Sequence, residues 1–146
     1  MKQELSPIIK PTELLLLNKT AKIVLIDASG GSKERYTTSH LQGALFVDLN
    51  KQLANIKSDP SNGGRHPLPE LIQFSQVLKQ LGISPNSHVI IYDDKNCSNA
   101  AARFWWMLKS IGHDKVQVLD GGFDAAIKAG FPISSKTETP LITDTY

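Results

Sequence analysis

Apolar residues cluster in short runs at positions 23–27, 44–48, 89–92 and 116–120, each bounded by polar or glycine-bearing stretches. Runs of this length and β-branched content predict buried strands. Between them the period changes. Residues 11–18 open with Pro11 and Thr12 ahead of four leucines, which predicts a short helix. Residues 69–82 place Leu71, Phe74, Val77, Leu78 and Leu81 at helical spacing, with Pro69 as the start and Gly82 as the stop. A third helix is predicted over 99–111 and a last one over 123–129, ended by Gly130 and Pro132; residues 33–40 are expected to hold a helical turn.

The segments between and after these elements carry their own signal. Residues 51–69 are polar and rich in Pro and Gly, so a long surface excursion without regular structure is expected there. Residues 134–146 lack periodicity and read as a linker or tail. Strands alternating with helices predict a three-layer α/β domain with a mostly parallel central sheet flanked by helices. Ligands of such sheets bind at the carboxyl ends of the strands.

Composition narrows the function classes. At 146 residues, 40% hydrophobic and 21% charged, the chain has the makeup of one globular domain. A net charge of +2 without a basic block argues against nucleic acid or an anionic membrane as partner. The longest aliphatic runs, such as residues 14–17, are far too short to span a bilayer. One cysteine, Cys97, excludes an internal disulfide and a cysteine-based zinc site, and the expectation is a reducing, cytoplasmic setting; a longer exported parent stays open. No metal site, nucleotide loop or hydrolase triad stands out, so no cofactor is expected.

The chemistry concentrates where the strand at 89–92 ends. A polar loop, Asp93-Asp94-Lys95-Asn96-Cys97-Ser98-Asn99, runs into the helix carrying Arg103, Trp105 and Trp106. A strand–loop–helix corner directs backbone N–H groups at one spot and cradles an anion. The first loop position holds Asp93, a carboxylate, which either fills that cradle or caps the helix.

Three blocks resemble the rhodanese sulfurtransferases. Leu25-Ile26-Asp27-Ala28 with Tyr36 and Ser39-His40-Leu41-Gln42-Gly43-Ala44 resembles the family's opening motif. Val118-Leu119-Asp120-Gly121-Gly122-Phe123 with Gly130-Phe131-Pro132 resembles its closing motif, and the Asp93 loop lies at the position of its active-site loop. The helix with Trp105-Trp106-Met107 and the His66-Pro67-Leu68-Pro69 segment resemble the N-terminal half of the two-domain thiosulfate or 3-mercaptopyruvate sulfurtransferases.

That resemblance implies a rhodanese-like domain over 1–133 and a linker over 134–146 leading to a C-terminal domain that carries the reactive cysteine. It implies that the parent moves sulfane sulfur to cyanide or a thiol through a cysteine persulfide, while this half, with Asp93 at the nucleophile position, is inactive alone. The partners expected are that second domain, the sulfur donor and the acceptor. A stand-alone inactive module that binds a protein or a small anion is the alternative; a phosphatase would also need a loop cysteine in place of Asp93.

Among the remaining candidates, Cys97 lies four residues past the family's cysteine position and reads as a packing thiol rather than a substitute nucleophile. His66 resembles a histidine of an interdomain acid–base set, with Asp48 and Asn50 near the accompanying acidic position; a plain surface histidine is the other reading. Arg103 is expected to pair with Asp93 or Asp94 or to fix loop backbone, with substrate binding the lesser option. Asp27 and His40 are expected to be structural, and one of Trp105 and Trp106 to be exposed in a lone domain.

Overall fold

Strand β5, Val89–Tyr92, is the centre of the molecule, with all four residues fully buried. Burying each of its aliphatic side chains stabilises the fold by roughly 1.5–3 kcal/mol. The computed structural model describes residues 5–29, 33–59, 61, 63–94 and 100–146. Around β5 stand β1 (Ile8–Ile9), β2 (Val24–Asp27), β4 (Leu45–Phe46) and β6 (Val116–Leu119), in the order β1-β6-β5-β2-β4. Every pairing in this sheet is parallel. Parallel order puts the carboxyl ends of the strands, and the loops that leave them, on one edge.

The helices are α1 (Pro11–Thr20), α2 (Lys33–Thr38), α3 (Leu49–Gln52), α4 (Leu71–Gln80), α5 (Ala100–Ser110) and α6 (Gly122–Lys128). Helices α1 and α6 lie against each other. Helices α4 and α5 meet through Phe74 and Phe104, whose rings cross edge to face at 6.1 Å. The layered α/β architecture expected from the sequence is the one observed. Among the described residues no helix is long and apolar enough to cross a membrane.

Several features differ from the sequence reading. β1 was not expected; it is a two-residue edge strand paired with β6, with Val118 N bonded to Pro7 O at 2.8 Å. The excursion at 51–69 is not wholly irregular, because α3 reaches Gln52; Asp48 caps it by accepting from the amides of Asn50 and Lys51 at 2.9 and 3.1 Å. A second, two-stranded antiparallel sheet joins β3 (His40–Leu41) to β7 (Ile133–Ser134). Beyond it, residues 134–146 lie on the domain. Glu138 N bonds Tyr36 Oη at 3.2 Å, Thr143 N bonds Lys79 O at 3.0 Å and Tyr146 Oη bonds His113 Nδ1 at 2.6 Å.

Gly82 shows why α4 stops where it does. Its φ of +76° suits glycine, and a Cβ there would sit 2.5 Å from the carbonyl oxygen of Leu141 in the docked tail.

Candidate functional site

Asp93 follows β5 directly and points inward, only 1% exposed. Its Oδ2 accepts from the amide of Ala101 in the first turn of α5 at 3.1 Å. Its own carbonyl accepts from Phe123 N, at the start of α6, at 3.1 Å. A carboxylate at a helix N-terminus complements the partial positive charge there. The bond to Ala101 is that of a cap of α5; the loop that the sequence reads as an anion cradle lies, at 95–99, outside the described residues. Asp94 pairs with the Arg35 guanidinium of α2, a partner that the sequence did not suggest. Cys97 lies outside the described residues.

A polar cluster underlies this corner. Tyr92 Oη donates to Asp27 Oδ2 at 2.9 Å and accepts from Leu41 N at 3.0 Å, while Asp27 Oδ1 accepts from Ser29 N at 2.8 Å. One phenol therefore ties β5, β2 and β3 together. Burial, followed by the Asp27 carboxylate, pushes the Tyr92 phenol far above its ordinary range. Burial also raises Tyr36, whose Oη donates to Ala44 O at 2.5 Å. His40 stacks on Tyr36 at 3.8 Å, and its Nδ1 bonds Tyr36 O at 2.7 Å; a carbonyl only accepts, so Nδ1 carries the proton. Asp27 and His40 both bond within this cluster, the hydrogen-bonding place expected of them from the sequence. Tyr92 was overlooked as a hub because its ring completes the apolar run that marks the strand.

A second group lies across the loop from 53 to 66. Arg103, on α5, donates through Nε and Nη2 to Leu53 O at 3.2 and 3.0 Å, and through Nη2 to His66 O at 2.8 Å. Among the described residues its hydrogen bonds go to these two loop carbonyls, so of the two expected roles it is backbone fixing, not pairing with Asp93 or Asp94, that the structure shows. The fork of the guanidinium closes a loop whose ends are distant in sequence. Asn55 N, bonded to Pro67 O at 2.8 Å, adds a second tie. These contacts hold His66 so that Nε2 meets Asn50 Oδ1 at 2.9 Å. Of the residues named near the acidic position, Asn50 is the one that reaches His66, while Asp48 is engaged by α3.

On the outer side of α4 and α5 the surface turns apolar. Trp105 Nε1 donates to Val116 O at 3.2 Å and its ring is half-buried, while Trp106 is 52% exposed. Leu68, Leu71 and Ile72 are exposed too. A shallow groove of about 380 Å³, lined by Leu71, Phe74, Ile111 and Tyr146 among others, runs beside them. One exposed Trp in a lone domain is what the sequence led us to expect. Among the described residues no group of His, Cys, Asp and Glu could hold a metal ion.

Comparison with known proteins agrees with this geometry. A rhodanese-like domain profile matches residues 10–129. Thiosulfate/3-mercaptopyruvate sulfurtransferase 2 of Arabidopsis thaliana is 38% identical over 109 residues, 75% of this chain and 30% of that protein. Mouse 3-mercaptopyruvate sulfurtransferase is 35% identical over 105 residues, 71% of this chain and 34% of that protein. The solved 3-mercaptopyruvate sulfurtransferase from Leishmania major superposes with a TM-score of 0.79 at 28% identity, covering 95% of this chain and 39% of that one. The chain spans about a third of the length of these two curated relatives. With its parallel sheet, its strand–loop–helix corner and this match over most of its length, the chain belongs to the rhodanese-like domain family.

Proposed function

We propose that this chain acts as the non-nucleophilic domain of a thiosulfate/3-mercaptopyruvate sulfurtransferase, set against a second rhodanese domain whose cysteine carries the persulfide. The observation that carries this is Asp93: buried, bonded to the first turn of α5, and placed directly after β5. Sulfur transfer of this kind needs a thiolate to attack the donor's sulfur and hold it as R–S–S⁻. A carboxylate forms no such bond. In this reading the carboxylate of Asp93 stands at the head of α5 where the partner domain has its thiolate.

In this reading the chain contributes a wall. Arg103 holds the loop that presents His66, and the exposed face around Trp106 and Leu71 accepts apolar surface from the partner domain. Thiosulfate or 3-mercaptopyruvate supplies the sulfur, and cyanide or a thiol takes it. The single cysteine suits a reducing cytoplasm. The exposed apolar face equally suits a stand-alone module that binds a protein, which is the second reading.

The test is to incubate the purified chain with thiosulfate or 3-mercaptopyruvate, record its intact mass, and assay thiocyanate formation from cyanide. No sulfur adduct and no thiocyanate are expected. A gain of one sulfur atom with turnover overturns the proposal. Adding a cysteine-bearing rhodanese domain from a relative separates the two readings: binding with enhanced turnover supports the enzyme, and no association favours the stand-alone module.

A further inference from the structure

The contact between α3 and the 53–66 loop carries one step more, which rests on the reading above for its functional meaning. We propose that Asn50 is a positioning residue that keeps the proton of neutral His66 on Nε2 and leaves Nδ1 as the basic atom of the ring. At 2.9 Å from Nε2, Asn50 Oδ1 only accepts, so the hydrogen of this bond belongs to the imidazole. A histidine's tautomer is set by the hydrogen bond that its other nitrogen makes.

Both partners are held by groups other than each other. Asn50 is in the first turn of α3, with its amide on Asp48 Oδ1 at 2.9 Å; Gln52 Oε1 in turn accepts from Asp48 N at 2.7 Å. His66 is held from the opposite side, its carbonyl on Arg103 Nη2 at 2.8 Å and the following carbonyl, of Pro67, on Asn55 N at 2.8 Å. Both residues are therefore anchored through their backbones, and the Nε2–Oδ1 bond is what orients the two side chains toward each other.

The choice of an amide has a chemical consequence. A carboxylate at this place would orient the ring and also favour its charged form. The amide of Asn50 orients the ring without adding a negative charge. Asp48, two residues before Asn50, has its Oδ1 on the backbone amides of Asn50 and Lys51 rather than on the imidazole. Nδ1 is thus the atom that exchanges a proton with a thiol brought against the wall: the S–H bond breaks, an N–H bond forms, and a thiolate faces an imidazolium.

The experiment is nitrogen-15 NMR of the histidine rings in the whole chain, at a pH where the imidazole is neutral, for the wild type, N50L, N50A and N50D. We expect the Nε2–H form to dominate in the wild type and in N50D. In N50L and N50A the ratio of Nε2–H to Nδ1–H should fall by roughly 3- to 10-fold, the range set by losing one ordinary hydrogen bond. A dominant Nδ1–H form in the wild type overturns the inference, as does an unchanged ratio in either truncated variant. The functional reading is tested apart, by turnover of H66A with the cysteine-bearing domain supplied. Unchanged turnover removes His66 from the reaction and leaves the tautomer result standing.

Discussion

Replacing Tyr92 by Phe removes one oxygen atom and tests whether the corner at Asp93 is built on a phenol. The hydroxyl makes two buried bonds, one donated to the Asp27 carboxylate at 2.9 Å and one accepted from Leu41 N at 3.0 Å. Losing a bond to a charged acceptor costs about 1.5–3 kcal/mol, and leaving a buried N–H unpaired costs about 1–3 kcal/mol. The two losses overlap, so a destabilisation of about 3 kcal/mol is expected. With a urea m-value of about 2 kcal/mol/M, the midpoint should fall by about 1.5 M at unchanged m. In thermal unfolding the same loss lowers Tm by about 6–12 °C. The Y92F/D27N pair closes a double-mutant cycle in which the shared bond gives a coupling above about 1 kcal/mol. A midpoint shift below about 0.5 M would refute the reasoning, because the hydroxyl would then contribute no more than an exposed one.

Arg103→Met keeps much of the aliphatic stem but deletes the bonds to Leu53 O and His66 O; it should cost about 2 kcal/mol and speed proteolysis between 53 and 66, with Arg103→Lys recovering only part. All three tyrosines are raised by burial, Tyr146 to about 12, so absorbance titration should show little phenolate at pH 10 until the chain unfolds. Raised phenols hold their stabilising contribution below the ordinary value of 10.0 and lose it as pH rises through the folded values, so stability should decline on the alkaline side. Burial lowers His113, which bonds Ser87 O at 2.8 Å; the unfolded chain then binds the proton better, and stability should fall as pH drops below about 6.5, a slope that His113→Gln should flatten. Gly82→Ala places a Cβ 2.5 Å from Leu141 O at a φ of +76°; a loss of about 1–3 kcal/mol and faster hydrogen exchange at the Thr143 amide are expected.

Much of the architecture could be read locally. The runs at 23–27, 89–92 and 116–120 announce strands because burial on both faces of a parallel sheet selects uninterrupted apolar residues. The spacing of Phe74, Val77 and Leu78 announces α4, and those three residues are the ones that it buries. Asp93 was visible for the same reason, since the residue after a central strand falls at the sheet's functional edge.

What the sequence hid depends on residues that meet across long separations. β1, β3 and β7 have two residues each, too few to show a period, and they exist through partners at Val118, Ser134 and Ile133. Arg103 could have been drawn to either nearby carboxylate, yet Arg35 takes Asp94 while Arg103 reaches carbonyls 50 and 37 positions away. Asn50 and His66, 16 residues apart, meet only because Asp48 starts a helical turn and Arg103 closes the loop between them. Hydrophobic period and the residue at the strand end are properties of a segment, so the sequence by itself determined the layered sheet and the carboxylate at the carboxyl edge of its central strand. The direction in which a polar side chain turns is decided by which donor or acceptor the folded backbone brings within 3 Å, and that only the tertiary structure supplies.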